Sequence, residues 1–109
     1  MPRPRAEADP GRLEPAGPGR FELHGELGFG DAARLLVEGE RAFGPQQSVE
    51  VDLAGVTRVD SAGLAVLIEW SLAAGAAGRR LGYRNLPPAV ISLAGISDVS
   101  ELIPAVSGG

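Results

Sequence analysis

The chain has no cysteine, which removes disulfides, thiolate nucleophiles and the usual structural zinc ligands, and is compatible with a reducing cytoplasm. It has one histidine, His24. One imidazole without cysteine does not make a common zinc site, and the carboxylates do not follow the spacing of a calcium-binding loop. Lysine is missing as well: all ten basic residues are arginine. With abundant Ala and Gly, this reads as GC-rich coding rather than function. No apolar run reaches the roughly eighteen residues of a membrane span, and residues 1–19 lack the apolar core of an export signal. The net charge of −4 argues against a nucleic-acid partner, which calls for a basic face.

What is present is one domain's worth of patterned sequence. A chain of 109 residues buries roughly two-thirds of its unfolded surface, enough for a single modest core. Residues 1–10 read as a flexible leader, 11–104 as the domain, and 105–109 as a soft tail. Gly11 to Pro15 and Arg20 to His24 read as two strands joined by the turn Ala16-Gly17-Pro18-Gly19, with Pro15 at an edge. Gly25 to Gly30 reads as a loop. Its glycine spacing does not match GxGxxG, so no dinucleotide site is expected there. Asp31 is the expected N-cap of a helix to about Phe43, with an Arg34–Glu38 pair on its wet face.

Ser48 to Leu53 alternates, with Val49, Val51 and Leu53 opposite Ser48, Glu50 and Asp52, as expected of a sheet whose helices lie on one face. Val56-Thr57-Arg58-Val59-Asp60-Ser61-Ala62-Gly63-Leu64 then reads as strand end, tight turn and helix start, with Ser61 at the mouth. Unpaired N–H groups converge there and favour a negative charge on or beside Ser61. The second helix runs from Ser61 to about Ala77. On a helical wheel Leu64, Ile68, Ser71 and Gly75 fall on one side, flanked by Leu67 and Leu72, and this side is expected to be core. Val66, Trp70, Ala73 and Ala77 fall nearly opposite, where an apolar stripe predicts a partner surface. The competing reading packs Trp70 against another element. Arg79 to Arg84 gives a further strand. Asn85-Leu86-Pro87-Pro88 opens a third helix to Gly95, and Ile96 to Ile103 forms a short apolar segment. Strand–helix repeats imply parallel pairing in the C-terminal half.

Asp60-Ser61-Ala62-Gly63-Leu64 after an alternating strand resembles the signature of the STAS domain, over about Gly11 to Pro104. The resemblance implies an α/β STAS-type sandwich: a mixed sheet of about four strands, an N-terminal hairpin plus parallel strands, with helices mainly on one face. It implies a binding module with no cofactor, and no nucleophile elbow or Ser-His-Asp order supports catalysis. Two family readings follow. The first is the cytoplasmic STAS subunit of an Mla-type phospholipid ABC transporter, which docks on the ATPase and, through it, on the permease at the inner membrane. Such transporters maintain outer-membrane asymmetry. Val59 to Ala65, Glu69-Trp70, Asn85-Leu86-Pro87-Pro88 and the ending after Glu101-Leu102-Ile103-Pro104 resemble that subunit. The second is an anti-sigma-factor antagonist, which binds a kinase-type anti-sigma factor until its serine, here Ser61, is phosphorylated. The partner surface expected is Asp60, Ser61, Ala62, Gly63, Val66, Trp70 and Ala73. For Ser61 three roles stand: partner contact, phosphorylation site, or helix cap alone. A nucleotide or small-molecule sensor using the same helix mouth is a further reading.

Overall fold

The computed structural model describes residues 9–106. Its elements run β1 (Arg12–Gly17), β2 (Arg20–Leu27), α1 (Ala32–Phe43), β3 (Ser48–Val59), α2 (Ser61–Ala76), β4 (Arg80–Arg84), α3 (Pro88–Ile96) and a 3₁₀ turn at Ser100–Leu102. The four strands form one sheet in the order β1-β2-β3-β4. β1 and β2 are antiparallel, and the β2–β3 and β3–β4 pairs are parallel. The turn at Pro18-Gly19 is enough to join an antiparallel pair, whereas each parallel pair is bridged by a helix, as the crossover geometry requires. The expected fold class is the one observed.

One face of the sheet carries the core. Phe21, Leu23 and Leu27 of β2 and Val49, Val51 and Leu53 of β3 are buried under the helices, with Leu35, Phe43, Leu64, Leu67, Tyr83 and Val90. The other face is open and charged, where Arg84 donates to Glu50 at 2.8 Å. The period of two in these strands therefore reports a sheet covered on one side.

Several boundaries differ from the sequence reading. β2 continues through Gly25 and Glu26 to Leu27, where a loop was expected, because Leu27 is fully buried and extends the alternation. Asp31 starts α1 without capping it through its side chain. Its carboxylate is taken by the Gly11 N–H at 3.0 Å and by Arg34 at 2.7 Å, while Arg34 also makes the expected pair with Glu38 at 3.1 Å. Asn85, expected near the α3 cap, donates instead to Asp52 at 2.8 Å, and Pro87 occupies the N-cap. Chain contacts reach beyond both expected domain limits. The Glu26 N–H donates to the Asp9 carbonyl at 2.7 Å, and the Val106 N–H donates to the Tyr83 carbonyl at 2.8 Å. Residues 1–8 of the expected leader and 107–109 of the expected tail lie outside the described residues.

Candidate docking site

The mouth of α2 is built by Asp60. Its extended backbone ends β3, and its side chain caps the helix. Asp60 Oδ1 accepts from the Ala62 N–H at 2.9 Å and the Gly63 N–H at 3.0 Å. Oδ2 accepts from the Phe29 N–H at 3.0 Å, tying the β2–α1 loop to the helix start. These backbone donors, Phe29 first, hold the Asp60 carboxyl below its usual range, with the charge of Arg58 a smaller contribution. The negative charge expected at the mouth is thus Asp60's own. Ser61 is the first helical residue rather than the cap, and it is exposed.

Gly63 is buried, and a Cβ there would overlap the Leu27 carbonyl. Its missing side chain lets α2 start against the end of β2, so it is a packing residue and not the partner contact expected. Ala62 is half-buried. The expected stripe on α2 is likewise corrected. Val66 is 3% and Trp70 1% exposed, because α2 is wedged between the sheet and α1. Leu64 and Leu67 join the core, and the buried Tyr83 hydroxyl donates to the Leu67 carbonyl at 2.7 Å. On the α1 side, the Trp70 indole lies over Gly39, where any Cβ would overlap the ring. Trp70 Nε1 donates to the Leu36 carbonyl at 3.3 Å, and its ring meets Phe43 edge to face at 5.1 Å. Ala73 is exposed but sits beside the end of α1, close to Glu40 and Arg79.

The surface of α2 is elsewhere. Ser61, Ala65, Leu72 and Ala76 are exposed, with Ile68 half-buried beside them and Glu69 the one ionisable group of the helix. At about 100° per residue these side chains form one apolar stripe that starts at Ser61. Leu72, placed at the core in the sequence reading, is 50% exposed. Phe29, 84% exposed, stands on the loop that Asp60 anchors to the start of the helix. Phe29, Arg58 and Asp60 help line a shallow cleft of about 200 Å³. Sequence reasoning missed Phe29. Its one signal was an aromatic residue between two glycines, Gly28-Phe29-Gly30, with no periodic partner.

Fold and site together are those of an α/β domain with one open sheet face, an acidic cap at the mouth of α2 and exposed apolar residues along that helix. The chain belongs to the STAS domain family: residues 14–104 match the family model described as "Mlab, STAS domain". No curated protein matches the chain. Among solved structures, the Bacillus cell-fate determinant SpoIIAA in its phosphorylated form is 15% identical, with 90% of this chain and 92% of that chain covered and a TM-score of 0.65. A putative anti-sigma factor antagonist from Thermotoga maritima is 14% identical, covering 91% and 86%, with a TM-score of 0.68. A sulfate transporter family protein from Wolinella succinogenes is 19% identical, covering 83% and 74%, with a TM-score of 0.62. At these identities the likeness establishes the fold. Among the described residues no helix is long and apolar enough to cross a membrane.

Proposed function

We propose that this STAS domain is the non-catalytic subunit that docks on the cytoplasmic ATPase of an Mla-type ABC transporter, through the mouth of α2. The observation that carries the docking reading is the exposed apolar stripe Ser61–Ala65–Leu72 together with Phe29. Exposed apolar residues along one helix face, with a single charge in the helix and an exposed Phe29 on the loop tied to its start, fit the core of an interface better than a solvated helix face. The matching family description supports the choice of transporter. On this reading the domain holds the ATPase in a working assembly beside its permease at the inner membrane. The chain itself stays in the cytoplasm, and transport of phospholipid by its partners preserves outer-membrane asymmetry.

A second reading is favoured by one observation: Ser61 is exposed at the head of the stripe, in reach of a kinase. In that case the partner is a kinase-type anti-sigma factor, and phosphorylation of Ser61 adds further negative charge beside the capping Asp60 and ends the complex. The test is affinity purification of the native chain and of Phe29→Asp, with mass spectrometry of the co-purifying proteins. An ABC ATPase with its permease, lost in the variant, is the expected result. A small kinase-like protein, released by Ser61→Asp, establishes the second reading. A partner retained by Phe29→Asp and Leu72→Asp alike moves the interface away from α2.

A further inference from the structure

The open face of the sheet holds the chain's one histidine between two carboxylates. Glu14 on β1 and Glu22 on β2 stand directly opposite each other in the antiparallel register. His24 follows on the same face of β2. His24 Nε2 is hydrogen-bonded to Glu22 Oε1 at 3.0 Å and lies 3.7 Å from Glu14 Oε1, so an ion would take the place of the proton they share. Ligand atoms of the three residues all fall within 4.8 Å of one another. Like charges directly opposite on paired strands destabilise them, so this ladder rung favours a cation between its members. The ring is located from behind: it rests on Gly55 of β3, where a Cβ would overlap Nδ1. The Glu14 carboxylate is oriented by Arg12, whose Nε donates to Oε2 at 3.0 Å, and this leaves Oε1 turned towards His24.

We propose that Glu14, Glu22 and His24 form a binding site for a divalent first-row transition ion, with zinc as its probe. Metal–ligand bonds of about 2.1 Å place tetrahedral donor atoms roughly 3.4 Å apart; the two separations from His24 bracket that value, and the glutamate oxygens, within 4.8 Å of each other, close on an ion by rotation of half-exposed side chains. The imidazole decides the class of ion, since magnesium and calcium take oxygen donors whereas imidazole suits zinc, nickel and copper. Three protein donors leave coordination positions open to water or to a donor from a partner. Arg12 acts as the outer partner that aims one of the ligands. Spacing along the chain shows only Glu22 and His24. Glu14 completes the set through strand pairing, which is why a single histidine looked insufficient.

The test uses the full chain freed of metal with a chelator, then titrated with zinc chloride by calorimetry, with the ring resonances of the single histidine followed by NMR. One zinc per chain with a shift of the His24 ring signals is expected. Glu14→Gln and Glu22→Gln should each weaken binding about tenfold or more, with a melting temperature in chelator no lower than that of the parent chain, and His24→Gln should abolish it. The proposal is overturned by the absence of binding at about 1 mM zinc, by binding that His24→Gln leaves intact, or by displacement of zinc with a tenfold excess of magnesium.

Discussion

Truncating Trp70 separates a core role from a surface role for the residue that dominates α2. The indole is 1% exposed, lies edge-on to Phe43, which in turn meets Phe21 at 5.1 Å, and donates to the Leu36 carbonyl. Trp70→Ala removes the filling between α1 and α2 and leaves Gly39 facing a void. Aromatic-to-alanine changes in cores cost about 3–5 kcal/mol, and the aromatic contacts are part of that figure, not an addition to it. Against total stabilities of roughly 5–15 kcal/mol, the variant keeps only a fraction of its stability. With a urea slope of about 1–3 kcal/mol per molar, a loss of about 4 kcal/mol lowers the unfolding midpoint by roughly 2 M. The melting temperature should fall by about 15–30 °C. Far-UV circular dichroism is the signal to follow, because the substitution removes the chain's only tryptophan fluorophore. Leu72→Ala, on the exposed stripe, is the control and should stay within about 1 kcal/mol of wild type. A Trp70→Ala loss below about 1 kcal/mol, accompanied by weaker partner binding, would refute the packing described and return the indole to the surface.

Two further outcomes follow from the capped mouth and the paired carboxylates. Asp60→Ala should cost about 1–2 kcal/mol and speed amide exchange at Phe29, Ala62 and Gly63 together; unaltered exchange at Phe29 would show that the carboxylate does not tie the loop to the helix. Asp31, Asp52 and Asp60 all have carboxyl pKa values lowered from 3.8, by the Gly11 N–H, the Asn85 side chain and the Phe29 N–H respectively. Lowered pKa values stabilise the fold above the unfolded value, and that contribution disappears as pH falls through the folded ones. Urea midpoints measured across a pH series should therefore hold down to about pH 5 and drop below about pH 4, with a smaller drop in Asp60→Asn. An equal drop in that variant would assign the acid sensitivity to other groups.

Much of the fold was legible locally. Phe21–Leu23 and Val49–Val51–Leu53 alternate because their sheet is covered on one side only, so a period of two carries the burial pattern directly. Turn residues placed the hairpin, Asp31 marked the start of α1, and the motif at Asp60–Leu64 marked the strand-to-helix junction. Residue type made Ser61 the candidate cap; the backbone path places the cap one residue earlier, at Asp60.

Tertiary structure decided what period and composition left undetermined. Only Glu69 is ionisable along α2, so the wheel had no charged face to orient by. The packing of α1 against it turned Val66 and Trp70 inwards and left Ser61, Ala65 and Leu72 outside. Phe29 became part of the candidate site because Asp60, distant in sequence, accepts its N–H. Glu14 met His24 through strand register. Sequence by itself determined which segments become strands and helices, since those depend on short-range periodicity, caps and turns. Which helix face is wet, and which distant side chains converge, depends on contacts between elements, and those exist only once the layers have packed.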